Sequence, residues 1–404
     1  MKHIIEVQKE TPVVGEYDVA IVGGGIAGVS AALAAARSGA RTVLMEREFT
    51  LGGLATLGLI AIYLPLCDGM GTQVSFGIAE ELLKLSVKHG SELYNNANEE
   101  RHPEIWIDGT GNIEDKKNFR YESLFNPSLY AIECEQLLLQ NGVKILYGCQ
   151  VCGVSMNDDK INAIILEEKG GRKAIRAKSF VDCTGDADIC ALSGAPTRLH
   201  RTGNRLAAWY YCHKGDRHEL TMNGFADSKV LKDIEIKGHN RRYSGLDAED
   251  ISDYMIASHA SAREHFLKNG GITGEHSMGS IPTIPQYRMT RCLVGQYITH
   301  DTEVGKHFED SVGLFSDWRK AGPVYELPFK ALYTSKVKNL AVAGRCISAD
   351  DAMWDITRVI PVCAVSGEAA GVAAAMSDDF GALNISALQN ALRQNGVVLH
   401  TEDL

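Results

Sequence analysis

The chain has 404 residues, 45% hydrophobic and 23% charged, the proportions of a folded globular protein, which excludes disordered, collagen-like and fibrous classes. Its 41 basic residues against 51 acidic ones leave a net charge of −10, the wrong sign for a binder of nucleic-acid phosphates. With 10 cysteines, no secretory leader expected in Met1 to Glu10, and the longest apolar runs (Gly52–Leu66 and Val359–Met376) broken by Gly, Pro, Ser or Glu, the chain reads as a soluble cytoplasmic protein with reduced thiols and no membrane span.

Tyr17 to Val22 is a short apolar, β-branched run of the kind that forms a parallel strand buried on both faces. Gly23-Gly24-Gly25-Ile26-Ala27-Gly28 follows and fits G-x-G-x-x-G. Val29 to Ser38 is alanine-rich and stopped by Gly39, which predicts a helix. Arg41 to Met45 predicts a second strand, ending in Glu46. Each residue type has a physical reason in a dinucleotide site. Gly23 permits the tight turn, and Gly25 lets a pyrophosphate approach the backbone. Ile26 and Ala27, within the glycine motif, are expected cofactor contacts ahead of the helix whose N–H groups and dipole face the phosphates, while Gly28 lets helix and strand pack closely. Glu46 stands 18 positions beyond Gly28, near the ~20 at which an acid meets the ribose hydroxyls, and its charge disfavours NADP.

A second glycine pair, Gly52-Gly53, comes directly after the acid. The stretch from Asp18 to Thr56 resembles the N-terminal signature of FAD-dependent oxidoreductases of the glutathione-reductase-like flavoprotein superfamily, among them fumarate-reductase and succinate-dehydrogenase flavoproteins. The resemblance implies bound FAD, with contacts from Arg47, Leu54 and Ala55 beside the glycines. Two later blocks are similar to further parts of that signature: Phe180 to Asp186, a strand ending in Thr184-Gly185-Asp186, and Asn339 to Arg345, a strand ending in Gly344-Arg345. Arg358 to Gly371 predicts a helix that runs on through Met376. The resemblance implies that its start, Val359 and Ile360, faces the flavin pyrimidine, where the helix dipole stabilises negative charge on reduction. Pro361 suits an early helical position. Val143 to Val151 resembles the strand whose last backbone amide meets adenine, which puts Val151 there, though it also reads as an ordinary strand valine. Tyr287 to Gly313 resembles a further segment of the broad FAD dependent oxidoreductase family.

The expected architecture is α/β: a discontinuous Rossmann-like FAD-binding domain from 1–66, 127–200 and 330–404, with an inserted β-meander, and a mixed α+β substrate or cap domain from 67–126 and 201–329. The meander takes strands from Asn141–Ser155, Lys160–Glu168 and Lys173–Ala177, turning at Asn157-Asp158-Asp159 and Gly170-Gly171. Asn269 to Gly274 reads as a loop, because no apolar strand precedes it. Two-nucleotide disulfide reductases need a second glycine fingerprint and a Cys-x-x-x-x-Cys pair, and neither is found. Electrons are therefore expected from the substrate or from an unidentified donor or acceptor.

Among chemical candidates, Arg288 and Arg291 can fix a substrate carboxylate or an oxyanion through forked hydrogen bonds, and structural salt bridges are the competing reading. His300, next to Asp301, is the best general base by chemistry. Arg358 stands where the flavin-facing helix begins. Asp350, Asp351, Asp355 and Trp354 lie in the segment before it and cannot be ranked. Cys67 is a redox thiol or a small buried one. Cys149 and Cys152, three apart on a strand, point to opposite faces and make a poor bridge. His200, His213 and His218 with Cys212 do not match metal-ligand spacings and read as polar cap surface, so no metal is expected. The expected function is hydride transfer between a small organic substrate and flavin N5, either reduction of a C=C bond or oxidation of a C–H beside OH or NH. The competing reading gives FAD a structural, electron-transfer or RNA-modification-complex role, which the acidic charge disfavours for RNA. Neither a nucleic-acid nor a membrane partner is expected, and a homo-oligomer stays open.

Overall fold

The computed structural model describes residues 4, 10–90, 102–224, 236 and 239–404; the reading of Met1 to Glu10 falls almost wholly outside them. In chain order β1 (Val13–Val22) leads through the glycine turn into α1 (Ile26–Arg37) and β2 (Thr42–Glu46). Next come α2 (Ile78–Ser86), α3 (Pro127–Gln140), β3 (Lys144–Tyr147), β4 (Gln150–Asn157), β5 (Lys160–Glu168) and β6 (Gly171–Asp182). Then follow α4 (Asp188–Leu192), β7 (Tyr210–Lys214), β8 (Arg217–Thr221), α5 (Ala248–Lys268) and β9 (His276–Ser280). The chain ends with β10 (Ser311–Ser316), β11 (Val324–Pro328), β12 (Leu340–Val342), α6 (Asp351–Thr357), α7 (Ile360–Met376) and α8 (Ile385–Gln394).

The main sheet has seven strands in the order β3-β2-β1-β6-β5-β4, with β12 also on β6. β3, β2, β1, β6 and β12 pair in parallel, while β4, β5 and β6 form an antiparallel meander. This is the α/β, Rossmann-like arrangement expected from sequence. One feature of the meander differs from expectation. Lys173–Ala177 and Phe180–Asp182, read as separate strands, are one twelve-residue strand. Its first half carries β5 and its last residues carry β12, so the meander is an extension of the main sheet. Two short apolar stretches separated by Lys178 and Ser179 look like two strands because β6 is buried without interruption only over its last four residues, while its first part mixes buried Ala174 and Ile175 with exposed Arg176 and Lys178.

α1 is buried almost throughout, lying against α7, which is also buried nearly all round. Alanines and glycines make that possible. A Cβ built at Gly367 would stand 2.4 Å from the Ala27 carbonyl oxygen, and one at Gly371 would stand 2.2 Å from that of Ala31. Residues four apart share a helix face, so the two glycines let the two backbones touch. The Ser30 hydroxyl donates to the Ala364 carbonyl across the same contact at 2.6 Å.

The segment 67–126, expected in the cap, contributes Ile78, Leu82, Leu83 and Tyr121 to the main core, and so does the β10–β11 hairpin through Val312, Phe315 and Tyr325. Two smaller apolar clusters stand apart from that core. One holds Ala208, Tyr210, Cys212, Ala262 and Phe266, and the other holds Leu206, Tyr243, Tyr254 and Tyr287. Amphipathic α2, with Ile78, Ala79, Leu82 and Leu83 inward, carries the signal that could have assigned it to the core. Among the described residues no single helix is long and apolar enough to cross a membrane.

Glu368, inside α7, accepts the Ile78 N–H at 2.8 Å, and burial pushes its carboxyl up to about 7. The folded protein therefore holds this proton across a window, about 4.5 to 7, in which the unfolded chain has released it. Stability must fall as pH rises through that window, by roughly 3 kcal/mol in total. Glu368→Gln keeps the hydrogen bond and is expected to flatten this slope in urea melts recorded from pH 4.5 to 8. An unchanged slope contradicts the assignment.

Candidate functional site

The C-terminal ends of β1, β2 and β6 open onto a cavity of about 680 Å³, a size suited to a cofactor site at the carboxyl edge of a parallel sheet. Gly23 (φ +98°) makes the first turn beneath it, and a Cβ there would lie 2.5 Å from the Cys183 carbonyl oxygen. At Gly28 a Cβ would lie 1.8 Å from the Gly23 carbonyl oxygen, so this glycine fixes close packing and does not line the cavity. Gly25 differs: nothing stands within 4 Å of its would-be Cβ, and it opens onto the cavity. That open cradle at the N-terminus of α1 is the space a pyrophosphate needs, so the residues present fit a dinucleotide.

The second glycine pair docks on the first. The Gly52 N–H donates to the Gly24 carbonyl at 2.8 Å, and a Cβ at Gly53 would stand 3.1 Å from the Gly25 Cα. Glu46, 8% exposed, accepts the Gly24 N–H at 2.5 Å and the Glu48 N–H at 2.8 Å. Its carboxylate thus ties the glycine loop while facing the cavity beside Arg47 and Val151.

The loop after β6 forms the opposite lip. Asp182 is fully buried, and burial pushes its carboxyl up. Four donors answer it: the Thr184 N–H and hydroxyl, and the Ile189 and Cys190 N–H groups. Arg345 clamps this loop. Its Nε donates to the Gly185 carbonyl at 2.8 Å, Nη2 to Asp186 Oδ1 at 2.6 Å and Nη1 to the Tyr287 carbonyl at 2.6 Å. All three separated stretches line one cleft, and the Arg345 guanidinium ties the Asp186 loop to Tyr287. Arg291 Nη2 pairs with Asp188 at 2.7 Å. Burial, with the negative charges of Asp186 and Asp182, pushes Asp188 up to about 6, against the charges of Arg291 and Arg47.

At the far end α7 begins: its N-cap Val359, expected to face the flavin, supplies no side-chain cap and does not line the cleft, whereas Ile360 does. Arg358, directly before it, holds Asp355 through Nη2 at 2.5 Å. Cys363 lies in the first turn, its thiol pushed up to about 12 by burial. Leu246, Ile251, Met255, Ile284, Pro285 and Tyr287 complete the wall.

A family model described as FAD dependent oxidoreductase matches residues 18–208 and 213–392. The chain belongs to the FAD-dependent oxidoreductase family. A thioredoxin reductase of Ureaplasma parvum serovar 3 is 34% identical over 83 residues, 20% of this chain and 26% of that reductase. The chain thus matches about a quarter of that relative's length. Among solved structures, p-nitrophenol 4-monooxygenase of Pseudomonas putida DLL-E4 is 13% identical with a TM-score of 0.49, over 94% of this chain and 84% of that one. The 3-ketosteroid-Δ4-(5α)-dehydrogenase of Rhodococcus jostii RHA1 is 14% identical with a TM-score of 0.40, over 91% of this chain and 98% of that one.

In this FAD-dependent oxidoreductase the cleft is lined by Gly23, Gly25, Ile26, Ala27, Glu46, Arg47, Gly52, Gly53, Leu54, Ala55, Val151, Thr184, Gly185, Asp186, Arg345 and Ile360, as well as Arg291 and Arg358. Other residues fall elsewhere. Gly344 sits behind the wall, where a Cβ would meet that of Ala27 at 2.7 Å. Arg288 does not line the cleft. It is 2% exposed, lies over the Trp209 ring, donates to the Gln286 carbonyl, and is lowered to about 9 by burial and by the charge of Arg358. His300 is on the surface, its imidazole 2.9 Å from Asp350 and half exposed, so the general-base assignment loses its geometry. The adjacency of His300 and Asp301 suggested that role, yet the acid partner comes from the N-cap of α6. Cys67 is buried off the cleft, accepting the Tyr121 N–H. His200, expected on a polar surface, is buried edge-on to Trp354, while His213 stacks on His218 in the β7–β8 hairpin. Asp188 and the apolar wall residues were missed. The D-A-D spacing after Thr184-Gly185 was the available signal for Asp188, and the wall residues carried none.

Proposed function

We propose that this enzyme transfers a hydride between flavin N5 and a small organic substrate that carries a carboxylate or carbonyl oxygen on an apolar body. The observation that carries the reading is the lining of the cleft: it includes Arg358, directly before the N-cap of α7, and the apolar Leu246, Ile251, Met255 and Ile284, and among the described residues no histidine lines it. Bound FAD supplies the two-electron carrier. Leu246, Ile251, Met255 and Ile284 exclude water and seat the apolar body. Arg358 stands where it can meet a substrate oxygen, with Asp355 fixing its fork at 2.5 Å. The N-terminus of α7 adds a positive field at the same place. Asp188 and Arg291 lie towards Glu46 and Arg47, and we assign them to the adenosine half. Arg345 acts as a positioning residue that holds the Asp186 loop against Tyr287. The cap is narrower in this reading than 67–126 with 201–329, and centres on the clusters within 206–287. A cytoplasmic location and an unidentified electron partner belong to the same proposal.

The test is an anaerobic screen in which the oxidised enzyme is mixed with alcohols and amines, and the reduced enzyme with unsaturated acids and ketones, while flavin absorbance is followed. Turnover with the oxygen-bearing acceptors is expected. Arg358→Ala should lower kcat/KM by roughly 100-fold or more with FAD content unchanged. If only alcohols or amines react, or if Arg358→Ala reacts as fast as the parent, the assignment is wrong.

A further inference from the structure

Away from the cleft, three side chains distant in sequence converge where the C-terminal turn meets the β10–β11 hairpin. They are His307 in the segment before β10, Glu326 on β11 and His400 before the last turn, with one ligand atom from each within 4.8 Å of the others. His400 Nδ1 stands 3.1 Å from Glu326 Oε2, and His307 Nδ1 stands 3.7 Å from Glu326 Oε1. The two imidazoles lie with centroids 4.6 Å apart and planes 28° from parallel, and each turns its Nδ1 towards the Glu326 carboxylate.

The Glu326 side chain is fully buried, yet its ion-pair partners among the described residues are only these two histidines. The Phe308 N–H at 2.8 Å and the Thr401 N–H at 3.3 Å fix its oxygens in place. A buried carboxylate needs a compensating positive charge, which a divalent cation supplies. The set of two imidazole nitrogens and one carboxylate oxygen is that of open tetrahedral zinc sites. With one ligand atom from each residue within 4.8 Å of the others, a small inward movement of the side chains brings all three to the bond lengths of about 2.0–2.2 Å of such a site.

We infer that His307, Glu326 and His400 bind a divalent transition-metal cation, Zn²⁺ by its chemistry. His307, whose side chain is 53% exposed, lies on the entry side, and solvent completes the coordination. None of the three lines the flavin cleft. The cation is therefore a clasp joining the C-terminal turn to the hairpin that packs on α7, and stands outside the redox chemistry.

The experiment uses full-length holoenzyme stripped of metal with a chelator and titrated with Co²⁺, then with Zn²⁺. The expected result is one equivalent of Co²⁺ with tetrahedral visible bands at longer wavelength than flavin absorption, displaced by Zn²⁺, together with a Zn²⁺-dependent rise in Tm. His307→Ala changes only the exposed ligand and should fold. It is expected to weaken binding by more than the roughly 10–100-fold that loss of an outer-shell partner produces, with FAD content and turnover unchanged. His400→Gln should do the same. Absence of a stoichiometric tetrahedral Co²⁺ spectrum, or equal binding by the parent and His307→Ala, overturns the site and leaves a hydrogen-bonded clasp.

Discussion

Gly25→Val is expected to give a folded protein that no longer holds FAD. Gly25 has φ −66° and ψ 179°, a conformation open to any residue, and nothing lies within 4 Å of its Cβ position. The added Cβ therefore clashes with no protein atom. Its cost to the apoprotein is that of a poor N-cap, about 1 kcal/mol. The same methyl groups fill the cradle between Gly25 and the Gly52-Gly53 pair. A pyrophosphate kept from the N-terminus of α1 loses its backbone donors, and FAD affinity should drop by roughly 100-fold or more, about 3 kcal/mol. Flavin fluorescence titration of the two apoproteins, with their melts recorded side by side, reads both quantities. Equal affinity contradicts the placement of the phosphates, and a collapsed apoprotein contradicts the open cradle.

The second large effect lies behind the site. Gly371→Leu puts a side chain against the Ala31 backbone, whose carbonyl oxygen would be 2.2 Å from the new Cβ and whose Cα and carbonyl carbon would be 2.9 Å away. Neither helix can yield locally, because α1 is pinned to β1 and β2 and α7 is buried nearly all round. The two helices must separate, at a cost of roughly 3 kcal/mol or more, the upper end of core overpacking. Separation also moves the N-termini of α1 and α7 apart, so FAD affinity should fall with stability. Gly274→Leu is the control: its Cβ position is open, and a surface change of that kind stays within about 0.5 kcal/mol. Chemical denaturation of both variants settles the matter, and a Gly371→Leu protein as stable as the control contradicts the helix contact.

Residues 17–53 were the most legible because each local signal there has one physical cause. Buried strands are uninterrupted apolar runs, and the glycines stand where a Cβ would meet backbone or fill a ligand's place. β6 was broken in two because half-exposed strands carry polar residues that imitate a turn. The Arg345 clamp was invisible as a clamp. Its partners Gly185, Asp186 and Tyr287 lie 58 to 160 positions away in sequence, and no local pattern encodes such distances. His300 shows the opposite failure. A histidine beside an acid in sequence looked like a catalytic pair, whereas the acid that reaches it, Asp350, is 50 residues away, and both face solvent. Small-residue spacing on α1 and α7 was present in the sequence, but alanine and glycine there read equally well as generic helix composition until the two helices are seen face to face.

If one FAD is gripped at once by the turn 23–28, the loop 184–188 and the start of α7, then adding FAD to the apoprotein must slow backbone hydrogen exchange in all three stretches together, with the same dependence on FAD concentration. That concerted protection is the expected result. Protection confined to the first glycine turn, or different saturation points for the three stretches, would show that they do not close on a single ligand.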